Sequence, residues 1–264
     1  MDERDPKQVK AFWEGRAGQA SLSEQEVTHR DVWQRWLEIQ TIKPFVTAGA
    51  RVLDVGCGNG YTTKQLAPLV GEIIGMDYGE EMIRRAVADN QGQGTARETI
   101  SFRVGDVLEL NPATFGMFDV VISERCLINL GSWADQQRAI ANIASVIQPG
   151  GRFIFLEGRR DGRDQLNALR KSVGLEEMPA VWHNIDFQEA PTLVYLQKWF
   201  DVEHQRHFGV YDFIARVVHP LSIAPAAPQY EARINQVAAK LALTCQEFGT
   251  ISRVLFLVLR RRAA

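Results

Sequence analysis

The sequence has little of several things, and each scarcity excludes a class of protein. Cysteine occurs three times, at Cys57, Cys126 and Cys245, widely separated and never as CxxC. A disulfide framework and a structural zinc site of the usual spacing are therefore excluded. Long apolar runs are missing: the longest resemble Val254 to Leu259, whereas a bilayer span needs about 20 residues. The stretch MDERDPKQVK is charged and has no apolar core of a secretory signal, so the expected location is the cytoplasm. No charge of one sign dominates: 30 Lys and Arg stand against 32 Asp and Glu, net −2. Proteins built to neutralise nucleic-acid phosphates lean on clustered Lys and Arg, so no nucleic-acid partner is expected. Internal repeats and low-complexity tracts are absent.

What remains is ordinary globular composition, 45% hydrophobic and 23% charged over 264 residues. That length corresponds to about 1.8 typical domains. Residues 6–43 carry helical spacing in two stretches, around Phe12 and Trp13 and around Trp33, Trp36 and Leu37, separated by Gly15, Gly18 and Ser21–Ser23. From residue 50 the rhythm changes. ARVLDV, EIIGMD, ISFRVGDV, FDVVIS and RFIFLEG read as buried strands. TTKQLAPLV (interrupted by Pro68), GEEMIRRAVADN and WADQQRAIANIASVI read as helices between them. Strands alternating with helices predict an α/β fold, a parallel sheet covered on both faces with right-handed crossovers. After Gly158 the alternation breaks; RDQLNALRKSVG, APTLVYLQKWF and YEARINQVAAKLAL look helical, and ISRVLFLVLRRR is an apolar closing strand.

The most informative stretch is Asp54-Val55-Gly56-Cys57-Gly58-Asn59-Gly60, which follows the first strand and opens the first helix of the alternating region. Glycines there let backbone approach a ligand, at the strand ends where open α/β sheets bind. A nicotinamide loop reads GxGxxG, but its sixth position here is Tyr61, and Asp54 would repel a pyrophosphate. The same acid suits an ammonium group. A phosphate-binding GKS or GKT is absent. Asp77 ends the second strand at the distance where an acid binds ribose hydroxyls, and Asp106 follows the third strand, placed to accept from an adenine amino group.

VLDVGCGNG, GMD, GDV, FDVVIS and the PGG turn before RFIFLE, in this order, resemble class I S-adenosylmethionine-dependent methyltransferases over residues 50–158. The resemblance implies a Rossmann-like, seven-stranded, mostly parallel sheet with an antiparallel last strand, helices on both faces, and S-adenosyl-L-methionine as cofactor, leaving as S-adenosyl-L-homocysteine. It implies that Gly56, Cys57, Gly58, Asn59 and Gly60 surround the methionine part, with Asp54 near its amino group. Asp77 would accept the ribose hydroxyls, Tyr78 and Met82 would pack beside the adenosine, and Gly105, Asp106 and Val107 would read the adenine edge. Glu124 and Arg125 would line the floor near the sulfonium. FWEGRA, with Trp13 and Arg16, looks like the aromatic-x-x-Arg lid helix of similar proteins. The implied division is a helical lid over 1–45 and a cofactor-binding domain over 46–264, with acceptor-site insertions at 159–190 and 209–250.

Methyl transfer needs an acceptor held at attack distance and, for a hydroxyl, a general base. His183, between Trp182 and Asn184, is the candidate base, with Glu124 beside it. Asn129 stands where many relatives carry a histidine. His204 and His207, three apart in a strand, fall on opposite faces and predict no shared metal site. SER and Cys126 replace the Asn/Asp-Pro-Pro-aromatic motif of base amino-methylating enzymes and the Pro-Cys of base C5 enzymes, so a small-molecule acceptor is expected. SERCLINL, LEG, WHN and FGVYDFIARVVHP are similar to bacterial surface-polysaccharide and sugar methyltransferases, which implies a sugar hydroxyl. The alternatives are a natural-product N- or O-methyltransferase, a non-catalytic S-adenosylmethionine-binding protein and, disfavoured by the loop, a nicotinamide oxidoreductase. Oligomeric state is not readable from the sequence.

Overall fold

A computed structural model describes residues 3–90, 99–245, 247 and 251–263; residues 246 and 248–250 of the expected second insertion lie outside them. Seven strands form one sheet: β1 Arg51–Val55, β2 Glu72–Asp77, β3 Ile100–Val104, β4 Phe118–Glu124, β5 Ile147–Gly158, β6 Phe200–His207 and β7 Val254–Arg261. Their order is β3-β2-β1-β4-β5-β7-β6. The first five pair in parallel, and β7 runs antiparallel to both its neighbours. This is the expected sheet, antiparallel last strand included.

The order reverses direction between β1 and β4. Two neighbouring strands whose crossovers depart to opposite sides leave a crevice at their carboxyl ends. The loop after β1 and the loop after β4 therefore face one another, which positions everything that follows.

Eleven helices are described: α1 Pro6–Ala17, α2 Val32–Ile42, α3 Tyr61–Leu66, α4 Glu80–Asn90, α5 Pro112–Phe115, α6 Trp133–Val146, α7 Arg160–Ser172, α8 Glu189–Leu196, α9 Gly209–Phe213, α10 His219–Ile223 and α11 Arg233–Thr244. A π-helical turn over Ile214–Val218 joins α9 to α10. The sheet is buried on both faces. Val52, Val120, Ile122, Ile154 and Val258 pack with Leu37 and Ile42 of α2 and Ala238, Ala239 and Ala242 of α11. Leu53, Ile74, Val121, Phe153 and Leu257 pack on the other face with Ala139, Ile140 and Ile143 of α6. Alternate residues of one strand thus serve two cores, which is why the strands read as continuous apolar runs.

Two of the boundaries that differ from the sequence reading have a plain local cause. α3 stops at Leu66, and Pro68 sits in the short 3₁₀ turn Ala67–Leu69 that follows, because proline cannot donate to a continuing helix. α6 ends at Val146, not beyond it, because Ile147 already pairs with Phe118 as the first rung of β5, ahead of the Pro149-Gly150-Gly151 turn.

Candidate functional site

The glycine loop is shaped by what lies behind it. Gly56 and Cys57 donate to the Met76 carbonyl at 2.7 and 3.0 Å, which ties the loop to the end of β2. Gly58 and Gly60 have φ of +55° and +73°. A Cβ on Gly58 would sit 2.6 Å from Cγ2 of Thr28, and one on Gly60 would overlap the Phe102 ring. Both positions thus need glycine twice over, for the left-handed backbone and for space. Gly60 is also the residue from which α3 starts.

Three carboxylates surround this loop. Asp77 is buried, with Oδ2 accepting from the Gly58 N–H at 2.9 Å and Oδ1 from the Gly79 N–H at 2.8 Å. Burial pushes its pKa up to about 6, against the pull of those two backbone donors. Asp54 accepts from Thr63 Oγ1 at 2.6 Å, and burial, opposed by that bond and reinforced by Glu124, raises it to about 7. Glu124, at the end of β4, accepts from Thr62 Oγ1 at 2.6 Å. Hydroxyls and backbone amides hold all three, and none forms an ion pair with a described residue. Arg35 and Arg125 share this wall, but none of the three carboxylates is bonded to them, and at a place with low dielectric such a carboxylate is costly and a cation is welcome.

A cavity of about 990 Å³, its open mouth included, runs through this crevice. Of the sequence-predicted residues, Trp13, Asp54, Gly56, Cys57, Gly58, Asp77, Tyr78, Met82, Glu124, Arg125 and His183 line it. Desolvation pushes the thiols of Cys57, which is buried, and Cys126, which is half-buried, well above the ordinary range, so they act as small apolar wall. Six predicted residues are not on the wall, Gly60 among them, as the residue that starts α3. The Arg16 guanidinium donates to the carbonyls of Val27 (2.7 Å) and Glu26 (2.6 Å). Asn59 donates to the Glu24 carbonyl at 2.7 Å. Asp106 caps the turn Val107–Glu109 by accepting from the Leu108 N–H at 2.8 Å, and Gly105 is wedged between Met76 and Phe115. Val107 is buried in the lower core. Arg16 and Asn59 hold the connector between α1 and α2 in place, so they shape the cavity from behind.

Arg125 lines the floor as expected, but its guanidinium is committed to Glu38 of α2 (Nη2 to Oε1, 2.5 Å), a fully buried carboxylate. Arg125 is the non-glycine residue among those described with positive φ, +57°. That backbone twist turns its side chain toward α2. Trp13 donates from Nε1 to Asn129 Oδ1 at 3.1 Å, and Asn129 in turn donates to the Arg125 carbonyl at 2.7 Å. The departure at Asn129 thus becomes the anchor for α1.

His183 is buried among Phe12, Trp13 and Trp182, at ring-centroid distances of 4.6, 5.1 and 5.2 Å. Its Nδ1 has no hydrogen-bond partner. Burial, with Arg16 adding to it, lowers its pKa to about 4, so the ring is neutral at neutral pH. From the expected insertions, Val181, His183 and Asn184 reach the wall, and no described residue of 209–250 does. His204 packs on Phe45 and Phe256 while His207 meets Glu189 at 3.3 Å. No cluster of metal-ligating residues occurs among the described residues.

Several wall residues were not singled out by sequence reasoning: Thr28, His29, Arg35 and Thr62. Arg35 donates to both threonine hydroxyls, to Thr62 at 3.1 Å. The available signal was Asp31. It is an N-cap residue ahead of an apolar helix, and it accepts from the Gln34 N–H at 3.0 Å. Reading α2 from Val32 leaves Thr28–Arg30 as a connector that must pass over the strand ends.

The sheet order, the glycine loop and the acids ending β1 and β2 together define a Rossmann-like methyltransferase fold. The sequence model described as a methyltransferase domain matches residues 46–206, more than half of the chain, and the chain belongs to that family. Ubiquinone biosynthesis O-methyltransferase of Aliivibrio fischeri is 32% identical over 130 residues, 49% of this chain and 52% of that protein. Demethylmenaquinone methyltransferase of Symbiobacterium thermophilum is 32% identical over 135 residues, 48% of this chain and 50% of that protein. The chain spans about half the length of these curated relatives. Among solved structures, the N-methyltransferase NodS of Bradyrhizobium japonicum with bound S-adenosylhomocysteine shares the fold, with a TM-score of 0.60 and 16% identity over 97% of this chain and 99% of that one. No helix among the described residues is long and apolar enough to cross a membrane.

Proposed function

We propose that this protein transfers a methyl group from S-adenosyl-L-methionine to a hydroxyl of a small-molecule acceptor. The observation that carries the reading is the trio Asp54, Asp77 and Glu124, buried or half-buried around the glycine loop with no cation paired to them. A dinucleotide pyrophosphate would be repelled there; a ligand with an ammonium and a sulfonium is stabilised. When bound, that ligand supplies an electrophilic methyl group on sulfur.

The chain's own residues then have separate tasks. Asp77, its two oxygens already fixed by Gly58 and Gly79, keeps lone pairs free for ribose hydroxyls. Asp54 offers charge to the ammonium group. Tyr78 and Met82 give the apolar bed for the adenosine. Residues 1–45 act as the lid, held down by Trp13 on Asn129 and by Arg85, which donates to the carbonyls of Ala17 (3.0 Å) and Leu22 (2.7 Å). Glu124 and His183 face the acceptor side, where a closed lid excludes water.

For the acceptor itself, the sugar hydroxyl implied by the weaker resemblance is one reading. A second, an aromatic hydroxyl, is favoured by the rings of Trp13 and His183 on the cavity wall, backed by Phe12 and Trp182, and by the O-methyltransferase names of the relatives. Calorimetry tests the cofactor half: S-adenosylhomocysteine binds and NADH does not, and Asp77→Ala loses the binding. Tight NADH binding without S-adenosylhomocysteine binding would refute the proposal. Labelled methyl transfer into panels of sugars, phenols and amines separates the acceptors.

A further inference from the structure

We infer that His29 is the group that takes the hydroxyl proton of the acceptor, through its Nε2 atom; this rests on the methyl-transfer reading above. His29 lines the cavity beside Thr28 and Arg35. Its Nδ1 lies 2.9 Å from the backbone carbonyl of Asp31. A carbonyl only accepts, so in the neutral ring Nδ1 carries the hydrogen and Nε2 carries the lone pair. Nε2 makes no hydrogen bond with a described residue.

The carbonyl that sets this tautomer is itself immobile. Asp31 is buried at the start of α2, and its carboxylate accepts from the Tyr211 hydroxyl at 2.6 Å, from the Gln34 N–H at 3.0 Å and from Arg216. Tyr211 lies on α9 and Arg216 on the π-helical turn, so the second insertion, which does not reach the wall, orients the imidazole from behind. On the other side Arg35 clamps Thr28 to Thr62, and Thr62 bonds Glu124. The ring is thus anchored through Nδ1, and the residue before it, Thr28, is tied to Arg35.

His183 offers the contrast. It has the same ring and the same cavity, but aromatic neighbours and an unpartnered buried Nδ1. Nothing polar among the described residues is bonded to that nitrogen to fix its tautomer. His183 serves as wall; His29 is built to exchange a proton.

Burial and the field of Arg125, Arg35, Arg253 and Arg216 hold His29 well below its ordinary range, so Nε2 is free of a proton at neutral pH. The same field opposes an imidazolium, but the step leaves the cavity's charge unchanged. The hydroxyl O–H bond breaks and its proton goes to Nε2. The O–CH₃ bond forms as the S–CH₃ bond breaks, and that electron pair stays on sulfur. One cation, the sulfonium, is lost and one, the imidazolium, is gained. The proton then leaves His29 for solvent.

The test is long-range ¹H–¹⁵N spectroscopy of the full chain labelled at its five histidines. Resonances are assigned with His183→Gln, His204→Gln, His207→Gln and His219→Gln, which identifies His29 without altering it. At pH 7 His29 should show Nδ1–H and a bare Nε2. Titrating 4-fluorophenol, a small hydroxyl probe, into the S-adenosylhomocysteine complex should shift the His29 Nε2 resonance upfield and leave the His183 nitrogens without a hydrogen-bond shift. An Nε2–H tautomer at His29, a shift confined to His183, or no nitrogen shift at saturating probe overturns the assignment. Absence of S-adenosylhomocysteine binding would instead overturn the methyl-transfer reading, while the tautomer of the free protein still judges the His29 geometry.

Discussion

The unpaired acids make cofactor affinity fall steeply with acidification. In the empty cavity Asp54 titrates near 7 and Asp77 near 6. A bound ammonium and bound hydroxyls stabilise the ionised forms and pull both values down. Binding therefore releases protons wherever the free protein holds them. Treating the two sites as independent, the doubly ionised fraction falls about 20-fold from pH 8 to pH 6, which raises the dissociation constant of S-adenosylhomocysteine about 20-fold, or about 1.8 kcal/mol. At pH 7 about 0.6 proton should be released per ligand bound. Calorimetry in two buffers of different ionisation enthalpy measures both quantities. An affinity that is flat from pH 8 to 6, or proton uptake on binding, refutes the claim that these carboxylates meet the ligand.

The fold's own stability should move the other way. A carboxyl raised in the native state binds more protons folded than unfolded, so its penalty is present at pH 8 and is relieved as pH falls through the raised value. Between pH 8 and 6.5 the free protein should melt no lower, while the increment given by the ligand shrinks. Asp54→Asn separates the two effects. Its carbonyl still accepts from Thr63, and it should stabilise the free fold at pH 8 by about 2–4 kcal/mol while removing most of the pH dependence of binding.

Further perturbations probe the scaffold. Arg125→Ala strands the fully buried Glu38 without its partner and should cost about 3–5 kcal/mol in urea unfolding, whereas Arg125→Met with Glu38→Leu should recover most of that loss. Gly60→Ala places a methyl group in the Phe102 ring at φ +73° and should lower the melting temperature and ligand affinity together; Gly15→Ala, inside α1 with nothing within 4 Å of the added carbon, should stabilise by about 0.5–1 kcal/mol. Trp13→Phe keeps the ring packing but removes the bond to Asn129, which should weaken S-adenosylhomocysteine binding by about 1 kcal/mol with an unchanged circular dichroism spectrum.

The parts of this molecule that could be read from sequence are those written in a few adjacent residues. A strand ending in an acid, or a loop of alternating glycines, carries its own geometry, so Asp54, Gly56, Gly58 and Asp77 stand where the pattern placed them. The same local logic did not show that one oxygen of Asp106 caps the turn Val107–Glu109, or that Arg16 donates to two carbonyls ten or so residues away. Neither outcome is encoded nearby, because each depends on how the α1–α2 connector or the turn after β3 closes.

The part of the cavity wall away from the glycine loop is the opposite case, since no segment contains it. Thr28, His29 and Arg35 come from the connector and α2, Thr62 from α3, Glu124 and Arg125 from the end of β4, and His183 and Asn184 from the segment after α7. They meet because α2 is docked by long-range polar contacts that a local pattern cannot carry: Asp31 to Tyr211 and Arg216, Gln34 to Arg253, Glu38 to Arg125. Such a network costs desolvation and is retained only where it fixes one arrangement among several. Here the arrangement it fixes is the angle of α2 over the strand ends. With that angle set, a histidine two residues before a helix cap has no route except into the crevice. The wall beside the glycine loop is thus a property of the sheet, and the wall opposite it is a property of how one helix is bolted to that sheet.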